Sequence, residues 1–251
     1  MNIENSIVLV TGANRGIGRA YVSELLARGA AKIYVAARDT ASLRELLKEG
    51  GPRLVPLPLD VTDPYQVAAA AAVASDVNLL ISNAGYAAFD GAISAPDMDA
   101  AHREMEVNYF APLALARAFA PILAKNGGAI VHMLSMLSLV SLPMAATYSA
   151  SKAAALSLTR SLRAELAAQG TQLVGVLAVQ TETAMGASLP EPRMTPQELV
   201  ADALDAIQNG ISDEVAAGAQ TKAIYEAFLA DPKGLQAKMA TRLPQRSANL
   251  I

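Results

Sequence analysis

Short, near-continuous apolar runs alternate along this chain with stretches whose apolar residues recur every three or four positions. Ile7–Val10, Lys32–Ala37, Leu54–Leu59, Val77–Ile81, Ala129–Leu134 and Gln172–Leu177 read as strands. Runs of this kind suit a parallel sheet buried on both faces. Pro56 and Pro58 mark the third run as an edge or irregular strand. After the first run, Ala20, Val22, Leu25 and Leu26 share one helix side, Ser23, Glu24 and Arg28 the other, and Gly29 stops the pattern. Asp63–Ser75 is an Ala-rich helix by propensity. Asp97–Lys125 reads as a long helix with kinks or turns expected at Pro112 and Pro121. Ser149–Gln169 is a further helix, and Thr195-Pro-Gln-Glu198 opens another with a capping-box pattern. The tail, Tyr225–Ile251, is expected to be partly helical, then irregular. Strands alternating with helices predict an α/β fold: one doubly wound parallel sheet with helices on both faces, a single domain over 1–251.

Composition narrows the classes. The length of 251 residues and mass of 26.1 kDa suit one such domain, and 53% hydrophobic residues can fill a large core. A net charge of −3 lacks the basic face that nucleic acid requires. There is no Cys, so disulfides and thiolate metal sites are excluded, and His102 and His132 are too few and too separated for a metal centre. Met1-Asn-Ile-Glu-Asn-Ser has no basic stretch followed by an apolar one, so no secretory signal is expected. Ala129–Ala146 is about as long as a membrane span but carries His132, Ser135, Ser138, Ser141 and Pro143 and breaks into strand and loop. The expectation is a soluble, cytoplasmic protein.

Two clusters carry chemistry. Thr11-Gly-Ala-Asn-Arg-Gly-Ile-Gly18 lies between the first strand and first helix. Glycines at 12, 16 and 18 let the backbone turn sharply and let a pyrophosphate approach the helix N-terminus. The second cluster is Ser135, Tyr148 and Lys152. Tyr148 and Lys152, four apart on a helix, lie one above the other. A neighbouring ammonium favours phenolate, drawing a tyrosine's value of about 10 toward neutrality. Ser135, thirteen residues before Tyr148, ends a strand, where open α/β sheets place their sites.

Ser-x12-Tyr-x3-Lys together with Thr-Gly-x-x-x-Gly-Ile-Gly resembles the short-chain dehydrogenase/reductase family over nearly the whole chain. The resemblance implies a Rossmann fold, a nicotinamide cofactor, and hydride transfer between a carbonyl and an alcohol. It places Gly12, Asn14, Arg15, Gly16, Ile17 and Gly18 against the cofactor, Asp60 and Val61 at the adenine, and Asn83-Ala84-Gly85 beside the ribose. Ser135 donates to the reacting oxygen, Tyr148 passes the proton, and Lys152 tunes Tyr148 and binds the ribose. Asn108 holds a water joining Lys152 to solvent. Thr181 and Thr183, in a Thr-x-Met pattern with Met185, bond the carboxamide. Many relatives carry Pro-Gly where this chain has Ala178-Val179, so the turn there must be built otherwise.

The end of the second strand decides the cofactor: an acid would bond the ribose 2′-hydroxyl of NAD, an arginine the 2′-phosphate of NADP. Ala37 falls on the acidic position of NAD-dependent relatives, and Arg38, with Arg15 near, on the basic one. NADP(H) is therefore expected over NAD. Met136, Leu137, Leu142, Val179 and Met185 are the expected substrate walls, with Ser135 and Tyr148, and suit an apolar ketone or aldehyde. Gly186–Pro196 sits in a substrate lid expected over 185–200. The resemblance also implies a homodimer or homotetramer. The main expectation is an NADP-dependent carbonyl reductase or alcohol dehydrogenase. Its alternatives are an NAD-dependent alcohol dehydrogenase and a non-catalytic NADP(H)-binding regulator on the same fold.

Overall fold

In the computed structural model the described residues are 1–187 and 189–244; Ser188, within the expected lid, and 245–251, the end of the tail, lie outside the described residues. The strands are β1 (Ile7–Thr11), β2 (Lys32–Ala37), β3 (Leu54–Pro58), β4 (Leu79–Ser82), β5 (Ala129–Met133), β6 (Gln172–Leu177) and β7 (Glu214–Ala216). They pair in parallel in the order β3-β2-β1-β4-β5-β6-β7. The helices are α1 (Gly16–Ala27), α2 (Arg44–Gly50), α3 (Pro64–Val73), α4 (Asp99–Met105), α5 (Ala111–Asn126), α6 (Ala146–Ala167), α7 (Pro196–Gln208), α8 (Ala219–Ala230) and α9 (Pro232–Ala240).

Side chains alternate across the sheet and fill two cores. Val8, Val10, Ile33, Val35, Ile81 and Val131 face α1, α2 and α7. Leu9, Tyr34, Ala36, Leu80, Ile130 and Leu173 face α3, α5 and α6. The chain runs outward from β1 to β3, then returns to β4 on the other side of β1. That reversal opens a crevice beyond the carboxyl ends of β1 and β4, the place where open α/β sheets bind ligands. Among the described residues the proline-bearing strand β3 pairs only with β2 and forms one edge, where missing N–H groups cost the ladder least.

Several boundaries differ from the sequence reading. The long helix runs 99–126, and instead of a kink at Pro112 it carries a wider π turn over Glu106–Phe110 just ahead of it. Pro112 has no N–H to return to the Asn108 carbonyl, so the α ladder breaks there. The run from Asp99 to Asn126 is long and apolar enough to cross a membrane by length and composition alone, yet Leu115, Phe119 and Leu123 are buried in the core. Helix α6 starts at Ala146, which puts Tyr148 inside its first turn. The Thr195 hydroxyl accepts from Glu198 N–H at 3.3 Å, but the Glu198 carboxylate accepts from Ala219 N–H, so only half the capping box forms. Two helices, α8 and α9, occupy most of the segment from 219 to 240. Helix α2 has no counterpart in the sequence reading.

Candidate active site

The glycine turn is shaped by contacts that leave no room for side chains. Gly12 has φ +65°. A Cβ on Gly18 would lie 2.0 Å from the Gly12 carbonyl oxygen and 2.7 Å from Asn83 Nδ2. Asn83 supports the turn from β4: its amide donates to the Thr11 carbonyl at 2.8 Å, and the Thr11 hydroxyl accepts from Asn83 N–H and Ala84 N–H. The crevice is thus a cradle that side chains would fill, and it fits a dinucleotide's diphosphate laid over the start of α1. Asn14 and Ile17 are partly buried in this turn and Arg15 is exposed.

At one end of the crevice Arg38, directly after β2, shares a cavity of about 720 Å³ with Asp60, Thr62 and the α4 residues Asp99, His102 and Arg103. Asp60 also accepts from the Thr62 hydroxyl at 2.7 Å. Val61 is buried in the core beside it.

At the other end Ser135, Tyr148 and Lys152 come together. Ser135 follows β5 and accepts from Leu137 N–H at 3.1 Å, with its own proton toward the Ala178 carbonyl at 3.4 Å. Lys152 is buried, its ammonium donates to the Met133 carbonyl at 2.9 Å, and burial brings its pKa down to about 8. The Lys152 nitrogen lies 5.9 Å from the centre of the Tyr148 ring. The expected acidified phenol is not what these residues produce. Burial pushes the Tyr148 phenol up to about 12; the Ser135 hydroxyl opposes the rise and the Glu104 carboxylate adds to it. Burial is the main reason, and the ammonium expected to oppose it is engaged by a sheet carbonyl.

Asn108 is buried on the π turn. Its amide oxygen accepts from Tyr86 N–H at 3.0 Å, and its nitrogen donates to the Tyr86 carbonyl and to Ser151 Oγ. One turn earlier Glu104, fully buried, accepts from Ala88 N–H at 2.9 Å. These two side chains clamp the strand extension after Gly85. The clamp sets Phe89, whose φ is +59°, with its ring 6.0 Å from that of Tyr148. A non-glycine residue held at positive φ stores strain that the surroundings must over-determine. Sequence reading missed both Glu104 and Phe89. Because the Glu104 charge favours the neutral phenol, Glu104→Gln should move Tyr148 ionisation to lower pH. The readout is the tyrosinate absorbance that Tyr148→Phe removes, and an unmoved titration would show that the carboxylate is not felt.

The β6 end without Pro-Gly is held by hydrogen bonds from several elements. Met136 N–H donates to the Ala178 carbonyl at 2.9 Å, and Val179 N–H donates to the Thr221 hydroxyl at 3.3 Å. Thr221, on α8, is fully buried and was not anticipated. Thr181 is buried and bonds the Val179 carbonyl. Thr183 lies against the glycine turn instead, its methyl 3.1 Å from where a Gly16 Cβ would be. Of the expected walls, Met136 and Leu142 are buried, Met136 within a core cluster, while Leu137 and Val179 are partly buried and Met185 is exposed. Of the stretch 185–200 expected as a lid, 196–200 belong to α7.

A family model described as short chain dehydrogenase matches residues 6–193. A short chain dehydrogenase from Burkholderia cenocepacia, solved in complex with NADP, is 43% identical with a TM-score of 0.89, over 95% of this chain and 99% of that one. An NADPH-bound carbonyl reductase from chicken fatty liver is 32% identical with a TM-score of 0.71, over 83% and 91%. The mouse dehydrogenase/reductase SDR family member 7B is 36% identical over 176 residues, 65% of this chain and 54% of that protein. The chain thus spans about half the length of the first such curated relatives.

Proposed function

Because this chain belongs to the short-chain dehydrogenase family, we propose that it is an NADP(H)-dependent oxidoreductase that reversibly reduces a ketone or aldehyde to the alcohol. The observation that carries the reading is the meeting of Ser135, Tyr148 and buried Lys152 beside a glycine cradle with no room for side chains. The diphosphate would lie on the turn 12–18, the adenosine at Asp60 and Val61, the 2′-phosphate at Arg38, and the nicotinamide ribose at Lys152. When bound, NADPH supplies the hydride that becomes the carbinol hydrogen.

The chain's own residues handle the proton. The substrate oxygen sits between the Ser135 hydroxyl, which donates a hydrogen bond to the developing negative charge, and the Tyr148 phenol. The proton passes from the phenol to that oxygen as the carbinol forms. With its pKa pushed up to about 12, the phenol is protonated at neutral pH, the form that reduction uses. The Lys152 ammonium would offset the negative charge left on Tyr148. Asn108 acts from the π turn by fixing Tyr86 and Ser151, and its carbonyl, which Pro112 cannot bond, would hold the water that the resemblance places near Lys152. Leu137, Val179 and Phe89 favour an apolar carbonyl compound of small to moderate size. The resemblance adds a homodimer or homotetramer to the proposal.

Consumption of NADPH with a panel of ketones tests the reaction; tight NADPH binding with no turnover of any carbonyl compound would instead mark a sensor. The cofactor choice is tested by Arg38→Asp. It should weaken NADPH at least tenfold while leaving NADH equal or tighter, because an arginine–phosphate pair is replaced by a carboxylate suited to a ribose hydroxyl. Equal effects on both cofactors would place the 2′-phosphate elsewhere.

A further inference from the structure

The segment between β6 and α7 folds back over the glycine turn and is closed at its base. Glu182 N–H donates to the Met194 carbonyl at 2.9 Å, and Met194 N–H to the Gln180 carbonyl at 3.0 Å. Inside this closed segment sits Arg193. Its Nη1 donates to the Gly186 and Ala187 carbonyls, both at 3.0 Å, and its Nη2 pairs with the Glu191 carboxylate. Its Nε is buried and has no partner among the described residues.

Arg193 also lines a cavity of about 570 Å³ together with Gly16, Glu182, Thr183, Ala184 and Ala187. Gly16 opens α1, where the backbone turn offers N–H groups to an anion. The cavity therefore borders the place where a dinucleotide's diphosphate would lie. Among its lining residues Arg193 is the one cation and Glu182 the one acid. A dianion entering beside Glu182 meets repulsion that Arg193, alone among the lining side chains, can offset. A guanidinium also matches phosphate oxygens with paired donors.

We propose that Arg193 is a ligand of the cofactor diphosphate, held by Glu191 in the empty protein and exchanged from that carboxylate to the phosphate oxygens on binding. This rests on the dinucleotide reading above and deepens it, since neither the glycine motif nor the 2′-phosphate site at Arg38 involves this residue.

Titration calorimetry with NADPH, NADH, ADP-ribose and 2′-AMP tests it, on wild type, Arg193→Ala and Glu191→Ala. Arg193→Ala should weaken NADPH, NADH and ADP-ribose alike, by about tenfold or more. It should leave 2′-AMP, which has no diphosphate, unchanged. Glu191→Ala removes the competing carboxylate and should tighten the same three ligands. If Arg193 were only an internal staple of the loop, Glu191→Ala would loosen the segment and weaken them. The proposal is overturned if Glu191→Ala fails to tighten, if ADP-ribose ignores Arg193→Ala, or if 2′-AMP is lost equally. A wild type that binds neither NADPH nor ADP-ribose would overturn the dinucleotide reading itself, a failure visible before any variant is made.

Discussion

Tyr148→Phe should cost turnover about 10²- to 10⁴-fold, the range a positioned proton donor contributes, while NADPH still binds. The substitution removes one oxygen and little packing. The ring keeps its neighbour Phe89 at 6.0 Å, and the Lys152 ammonium keeps its bond to the Met133 carbonyl at 2.9 Å. At the phenol the variant loses the contact with the Ser135 hydroxyl, while the Ser151 bond to the Tyr148 carbonyl stays in place. Fold and cofactor affinity therefore serve as internal controls. Single-turnover rates with NADPH and a reactive ketone, beside a fluorescence titration of NADPH, separate the two effects. A variant that reduces its substrate at the wild-type rate would mean that another group, or water, delivers the proton.

Gly18→Ala should be strongly damaging. The new carbon would sit 2.0 Å from the Gly12 carbonyl oxygen and 2.7 Å from Asn83 Nδ2. The first of these is backbone, so no rotamer change relieves it. Either the start of α1 moves away from β1, or the Gly12 peptide turns and breaks the support that Asn83 gives to the Thr11 carbonyl. Overpacking of this kind costs roughly 2 kcal/mol or more. Dinucleotide affinity should fall with it, since the shifted peptides are those facing the diphosphate. Thermal unfolding and NADPH titration should both register the change. A variant with wild-type melting temperature and affinity would show that the turn has slack the structure does not contain.

How much of this was readable beforehand depended on whether the cause was local. The glycine turn and the Ser135, Tyr148, Lys152 spacing are short-range patterns, so they could be assigned from residues alone. So could the alternation of strands and helices, because burial on both faces of a parallel sheet writes continuous apolar runs. Glu104 could not: in Arg103-Glu104-Met105-Glu106 it looks like one more solvated charge. Its burial follows from the path of residues 86–90 across the helix. Thr221 lies 42 positions from the Val179 amide it serves, and no spacing rule links the two. The tyrosine's acidity was misjudged for a related reason. Four-residue spacing says that two side chains share a helix face, but not which acceptor the amine prefers, and here a carbonyl of β5 took it.

That carbonyl has a consequence for timing. The Lys152 ammonium carries three donors, and the Met133 carbonyl engages one. On the proposed reading, the ribose hydroxyls of the nicotinamide end satisfy the remainder. Until they do, the amine has nothing on the phenol's side to hold it, and a carbonyl compound arriving early meets a half-assembled pocket. On that reading the nucleotide would bind before the carbonyl compound, because its ribose completes the donors of one buried amine.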